Sequence, residues 1–331
     1  MQTTDLILFL LALIVGAFGA WLTAIHGQRL ALIDSPNERS SHSEPTPKGG
    51  GIGLLAAFII ASLWLGVQAS FWISIGIIGL ISLLVDRFHF SPKLRLGFQF
   101  LGALVVLVAI YQPDIMQLHF ILLCIPLSIF IVGTANFYNF MDGINGIAAI
   151  TGIVGFGLLA FYAFTFENIT PLSALAACMA LSCLGFMPFN MPTAKVFMGD
   201  VGSILLGFVF AAIVVSLSKN FLDFVCLASF LFPFYADELT TMAVRIRNRE
   251  NLLKPHRRHL YQLLANEYSV AHWKISLGYG VFQLVVGLTV LIGKSHGILP
   301  VVSLIFAYFA AFIFVSFSVR KNLSTISQQV L

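Results

Sequence analysis

The sequence predicts an all-α fold, a polytopic bundle of helices in a membrane, and three observations carry that prediction. Only 10% of the 331 residues are charged while 59% are hydrophobic, with a mean hydropathy of +0.95; a soluble globular chain carries roughly 25% charge. Apolar runs of about 20 residues, the length that crosses a bilayer as a helix, recur along the whole chain. Lys and Arg are also one-sided: with the N-terminus outside, all 18 except Lys219 and Lys294 fall in inner segments. This gives an N-out, C-in topology, and it makes the formal net charge of +4 a topology signal with no call for nucleic acid.

About eleven spans are expected, at roughly 6–25, 51–69, 70–85, 98–111, 118–137, 147–165, 170–187, 201–217, 221–243, 275–293 and 298–319. They form a single domain over 1–331, with inner loops at about 26–50, 86–97, 138–146, 188–200 and 244–274. No internal repeat is visible, which argues against an inverted-repeat transporter. The first span follows MQTTD, which has no positive charge, and is too long and wrongly flanked for a cleaved signal peptide, so it is expected to be a retained helix. Cys124, Cys178, Cys183 and Cys226 all sit within apolar runs without CxxC spacing and are expected to be small core hydrophobes.

The first inner loop contains DSPNERSSHSEPTPKGGGIG, starting at Asp34. Its three prolines and glycine run make a shaped loop, with Arg39, His42 and Lys48 available for anions. It is not a Walker A loop, because no strand precedes it and no GK followed by Ser or Thr is present. In the second loop Asp86 stands at the inner end of a span beside Arg87, which on its own could be a solvated ion pair.

The third loop lies within NFYNFMDGINGIA, residues 137–149. On a helix Asn136, Asn139 and Asp142 step by three, along one arc of about 120°. Gly143 and Gly146 loosen the backbone, and Asn145 continues the polar side. A carboxylate at a bilayer centre costs on the order of 2.5–3.5 kcal/mol, so this cluster marks a polar site at the membrane rim rather than chance polarity. The competing reading is a helix-end turn capped by amides, with DG as the turn signal.

In the fourth loop, FMGDVGS places Asp200 and Ser203 at the start of a helix, where free N–H groups and the dipole favour anions such as phosphate. Mg2+ takes one or two carboxylates, waters and the substrate's own phosphates, so an Asp there suits a metal-bridged pyrophosphate. The plainer alternative is an N-cap Asp with glycines for close packing. In the fifth loop Pro255 can start a helix with His256 and His259 three apart on one face, beside an apolar stripe of Leu260, Leu263 and Leu264. Two His at this spacing suit zinc, but no third or fourth ligand is close, which argues against it; a basic anion clamp and attraction to anionic lipid are both open. Asp34, Asp86, Asp142, Asp200, Asp237 and these histidines all fall on the inner side, while the outer loops carry little beyond Asp114, Glu167 and Asp223. Any chemistry is therefore expected at the cytoplasmic face.

In this order, DSPNERSSH with PTPKGGG, VDRFHFSPKLR, NFYNFMDGINGIA, FNMPTAKVFMGDVGS and PHRRHLYQ resemble the polyprenyl-phosphate N-acetylhexosamine-1-phosphate transferases, a family that also includes the phospho-MurNAc-pentapeptide translocase. The resemblance runs from Asp34 to Gln262, and the RSSH and HRRHLYQ wordings are most similar to the subgroup that starts O-antigen and related envelope polysaccharides. It implies a multi-pass protein of the bacterial inner membrane. There a UDP-N-acetylhexosamine and undecaprenyl phosphate react on the cytoplasmic face, releasing UMP, with Mg2+ or Mn2+ as cofactor. By matching position, Asp200 would hold the metal, and Asp142 and Asp86 would serve the catalytic phosphate site. Asn190 and Phe197 would lie by the uridine with Gly143 and Asn145 near, Lys48, Asn136 and Asn139 would contact substrate, and His256, Arg257 and His259 would clamp phosphate or sugar. A homodimer is left open.

Two positions depart from the pattern: Val85 precedes Asp86 where the family usually has paired aspartates, and Asn145 stands where it usually reads DGxDG. A dedicated base for the lipid phosphate is not required, since a phosphate monoester has its second pKa at about 6. The runner-up function is the translocase step of peptidoglycan synthesis; a transporter and a catalytically lapsed relative are the readings from other classes.

Overall fold

A computed structural model describes residues 3–36, 41, 44–88, 90–112, 118–166, 171–251, 254 and 256–329; Arg39, His42, Asp114, Pro255 and Glu167, singled out above, lie outside the described residues. The chain is a polytopic all-helical bundle. Its helices are α1 (Thr3–His26), α2 (Ile52–Trp64), α3 (Ala69–Phe88), α4 (Pro92–Tyr111), α5 (Leu118–Phe140), α6 (Ile147–Phe166) and α7 (Pro171–Asn190). They continue with α8 (Asp200–Leu217), α9 (Phe221–Ala228), α10 (Phe232–Arg247), α11 (Leu260–Asn266), α12 (His272–Lys294) and α13 (Ile298–Gln329). Among the described residues, nine helices are long and apolar enough to cross a membrane.

The core is organised around α8, on which Val201 to Val215 are all buried. It packs between α3 and α5, while α1 lies against α2 and α7, and α12 joins α6 to α13. Gly207 makes the α5–α8 contact possible, because a Cβ there would fall 2.7 Å from the Cα of Ala135. Cys178, Cys183 and Cys226 are buried free thiols and Cys124 is half-buried, in keeping with their apolar surroundings.

Two spans differ from expectation. The one expected over 51–69 is a 13-residue helix, α2, which at 1.5 Å per residue covers about 20 Å of a roughly 30 Å hydrocarbon core. The one expected over 221–243 is broken into α9, a 3-10 turn at Ser229–Leu231, and α10. Pro233 supplies the reason, since it lacks an N–H and its ring crowds the carbonyl four residues back. The break is repaired from α12, where buried Gln283 donates through Nε2 to the carbonyl of Phe230 at 2.7 Å and to that of Thr151 at 3.1 Å.

The loop between α1 and α2 carries a two-stranded antiparallel ladder, β1 (Ile33–Asp34) and β2 (Thr46–Pro47), with Ile33 opposite Pro47. Just after β2 the chain runs beside the segment leading into α8: the N–H of Phe197 donates to the Pro47 carbonyl at 2.8 Å, and those of Gly50 and Gly51 donate to Phe197 and Met198. Two loops distant in sequence are thereby tied together at one end of the bundle. Asp142 lies just past α5, in the turn, rather than on the helical arc expected from its spacing. The helix expected from Pro255 begins at Leu260, so His259 is its N-cap and His256 precedes it.

Candidate active site

At this end, the C-terminal ends of α3, α5 and α7 meet the N-terminal ends of α8 and α12, and they enclose a cavity of about 340 Å³. Lys48, Asp86, Asn139, Asp142, Gly143, Asn145, Asn190, Phe197 and Asp200, all expected at a site, line it together. Asn136 faces α4 instead, donating to Gln99 Oε1 at 2.7 Å. His256, Arg257 and His259 are not among the lining residues; from their segment the cavity receives Gln262.

Asp86 is buried at the end of α3 and forms no pair with Arg87, which lies over the Phe88 ring. Its Oδ1 is 3.6 Å from Lys48 Nζ, and its Oδ2 accepts the N–H of Val201 at 3.3 Å. One of the N–H groups that the sequence offered to phosphate at the α8 N-terminus is therefore taken by the Asp86 carboxyl. Gly199 permits this approach: its φ is +75°, and a Cβ would sit 2.8 Å from Asp86 Oδ2.

Asp200 opens α8 and pairs with Arg95 from α4. Its other oxygen accepts from Asn139 Nδ2 at 2.9 Å, and the same amide reaches Ser203 Oγ at 2.8 Å. Asp142 sits in the turn that follows. Burial first, and then the charges of Asp200 and Asp86, push its carboxyl up to about 7. Beyond it Asn145 is fixed on three sides: its side chain donates to the Pro192 carbonyl at 3.2 Å, its N–H to His272 Nδ1 at 3.3 Å, and its carbonyl accepts from Ser276 at 2.8 Å. Asn190 ties the α7 end to the same turn, accepting from Gly146 N at 2.6 Å and donating to the Val196 carbonyl at 2.9 Å.

His259 is buried between Asp237 and Glu238 of α10, its Nδ1 3.8 Å from the former and its Nε2 3.4 Å from the latter. His256 is half-buried beside Arg245 and Arg258, and desolvation together with those cations and His259 lowers its pKa to about 4, so it is neutral at pH 7. Arg257 is exposed and lies 3.8 Å from Glu267. Arg95, Gln262 and His272 were given no role from the sequence. Arg95 and Gln262 did lie in segments singled out above, whereas His272 had no local signal.

Four carboxylates, Asp34, Asp86, Asp142 and Asp200, line the cavity, and Lys48 is the one lining cation among the described residues. Among those residues no group of three or more His, Cys, Asp or Glu forms a protein-only metal cage. Mg2+ does not ask for one, since it keeps waters and takes one or two carboxylates plus phosphates. The gathering of carboxylates around Asp200 fits that demand. Val85 faces a small recess with Ser82, Arg95 and Gln99, away from the main cavity.

Residues 68–218, which hold all three central carboxylates, match Glycosyl transferase family 4. The chain is 29% identical over 307 residues to the decaprenyl-phosphate N-acetylglucosaminephosphotransferase of Mycobacterium leprae, covering 77% of this chain and 75% of that protein. It is 27% identical over 293 residues to the undecaprenyl-phosphate alpha-N-acetylglucosaminyl 1-phosphate transferase of Thermotoga maritima, covering 86% and 89%. A shorter match, 32% over 133 residues and 40% of this chain, is to the phospho-N-acetylmuramoyl-pentapeptide-transferase of Staphylococcus saprophyticus, 39% of which is covered. Cavity, carboxylates and relatives agree with the match of residues 68–218 to glycosyl transferase family 4.

Proposed function

We propose that this protein transfers an N-acetylhexosamine-1-phosphate from a UDP-sugar to undecaprenyl phosphate at the cytoplasmic face of a bacterial inner membrane, and that the product starts O-antigen or a related envelope polysaccharide. The observation that carries the reading is the juxtaposition of two sites along α5. Asn139 and Asp142 to Asn145 line the carboxylate cavity, while Ile129, Phe130, Gly133, Thr134 and Phe137 line an apolar groove of about 430 Å³ shared with α10 and α13. A polar diphosphate and an isoprenoid chain need these two environments side by side.

In the reaction an oxygen of the lipid phosphate attacks the sugar-proximal phosphorus, the bond from that phosphorus to the UMP oxygen breaks, and UMP leaves. The lipid phosphate is already largely dianionic at pH 7, so no residue has to remove its proton. Mg2+ held by Asp200 would supply charge neutralisation on the diphosphate and its leaving group. Lys48 and Arg95 bring positive charge to the same place, and Asn139 fixes the Asp200 carboxylate through a 2.9 Å hydrogen bond. Asp142, with its carboxyl near 7, can hold a proton towards a phosphate oxygen or give it up when a cation arrives. Phosphoryl transfer asks mainly for such positioning and neutralisation.

The test is purified protein in detergent with undecaprenyl phosphate, Mg2+ and a panel of UDP-N-acetylhexosamines, reading UMP and lipid product together. Equimolar UMP and lipid-linked sugar diphosphate, abolished by chelation, is the expected result. Movement of lipid or sugar across proteoliposomes without UMP from any donor would overturn the reading in favour of transport.

A further inference from the structure

Asp237 lies outside the cavity, is fully buried, and is surrounded by donors from three elements. Oδ1 accepts the N–H of Leu260 at 2.8 Å and the hydroxyl of Thr241 at 3.3 Å; Oδ2 accepts the N–H of Tyr261 at 3.3 Å and the hydroxyl of Tyr279 at 2.7 Å. A buried carboxylate so fully satisfied fixes the groups that satisfy it. The seven-residue α11 is too short to hold its shape alone, so its start and position are set by this carboxylate.

What α11 carries reaches the cavity. The hydroxyl of Tyr261 donates to the Phe140 carbonyl at 3.0 Å, at the end of α5 and two residues before Asp142. A Cβ on Gly143 would fall 2.3 Å from that same hydroxyl oxygen, so the phenol is wedged against the turn on both sides of Asp142. The His259 ring stacks on the Tyr261 ring, with centroids 5.6 Å apart and planes within 9°, which limits retreat of the phenol. Gln262, the next residue, forms part of the cavity wall.

We propose that Asp237 and Tyr261 are positioning residues for the Asp142 turn: Asp237 anchors α11, and Tyr261 holds the turn from Phe140 to Gly143 in place. This rests on the transferase reading for its rate readout, and a second readout stands without it. A tyrosine serving only as core would cost stability when its hydroxyl is removed but would leave turnover per folded molecule unchanged. A wedge under the turn acts on kcat, because misplacement of a group that organises the reacting phosphates costs rate more than binding.

The experiment compares full-length wild type, Tyr261→Phe, Asp237→Asn and, as a control, Tyr308→Phe, whose hydroxyl meets Thr289 at 3.0 Å on the α12–α13 side. Steady-state UMP release gives kcat and KM for UDP-GlcNAc per folded molecule, and hydrogen exchange is followed over residues 137–149. Tyr261→Phe is expected to lower kcat about tenfold with KM within about twofold, and to speed exchange over 137–149, while Tyr308→Phe does neither. Asp237→Asn is expected to speed exchange over both 137–149 and 259–266. Wild-type kcat with wild-type exchange over 137–149 in Tyr261→Phe overturns the proposal. If wild type releases no UMP from any donor, the transferase reading fails by itself, and the exchange comparison alone decides the positioning role.

Discussion

At one end of the bundle Asp223 is buried with a full set of partners. Lys294 Nζ lies 2.8 Å away, Tyr162 donates at 3.4 Å, the N–H of Lys219 donates at 3.2 Å, and the lysine sits 4.9 Å above the Tyr162 ring. At the other end Asp86, Asp142 and Asp200 crowd one cavity, where Lys48 and Arg95 are the cations that pair with them and Asp142 is pushed up to about 7. Both ends bury carboxylate, but among the described residues the first matches its one aspartate with a lysine, whereas at the second Asp86, Asp142 and Asp200 face Lys48 and Arg95. A charge matched by its own chain joins helices; carboxylates gathered around an open cavity are, in the function proposed above, where a cation and phosphates would be held. This contrast, more than any single residue, separates structure from chemistry in this chain.

The contrast can be broken most severely at Asp200. Asp200→Asn is expected to lower UMP release by about a thousandfold or more with the detergent-solubilised protein still folded, measured by turnover and melting on the same sample. Asp142→Asn keeps the shape but removes the adjustable charge, and a loss of about a hundredfold in kcat is expected in the same assay. At the far end the readout changes. Asp223→Asn leaves Lys294 facing a neutral amide and is expected to cost about 2 kcal/mol, lowering the melting temperature by several degrees with kcat per folded molecule unchanged.

The surplus also has a pH signature. Because the folded-state pKa of Asp142 is raised to about 7, above its ordinary value near 3.8, folding is favoured when this carboxyl is protonated. With divalent cations chelated, that contribution is complete below about pH 4 and is lost as the pH rises towards 7. The wild-type melting temperature should therefore decline across that window more than that of Asp142→Asn. The smallest effect is expected at Asn145. Its amide donates to the Pro192 carbonyl, which a carboxylate cannot do. Asn145→Asp should raise KM for the nucleotide sugar a few-fold and leave kcat close to wild type.

The parts of this molecule that were legible in the sequence are those written locally. Apolar runs gave the bundle, and Asn139, Asp142 and Asn145 around the end of α5, with Asp200 at the head of α8, marked residues that do converge on one cavity, whereas Asn136 turns to α4. The parts that were not legible depend on partners far along the chain. Taken locally, Asp86 could have been half of a surface pair with Arg87, because its actual partners, Lys48 and the N–H of Val201, are 38 and 115 residues away. Helix α11 was expected from Pro255 but starts at Leu260, because Asp237, 23 residues earlier, captures the N–H groups there. His272 enters the cavity only through the packing of α12, and nothing beside it in sequence announces it; Gln262 closes the PHRRHLYQ stretch, but its place in the cavity wall is set by the packing of α11. The split of the span over 221–243 was signalled by Pro233, whose cost within a helix outweighs the continuous hydropathy around it.

The most direct measurement sets the two ends against each other: UMP release from UDP-GlcNAc and undecaprenyl phosphate by Asp200→Asn and Asp223→Asn, each expressed per folded molecule and compared with wild type. The expected result is no detectable release from Asp200→Asn and wild-type release from Asp223→Asn despite its lower melting temperature. Wild-type turnover in Asp200→Asn would contradict the central claim, because the carboxylate surplus at the head of α8 would then have no part in the chemistry.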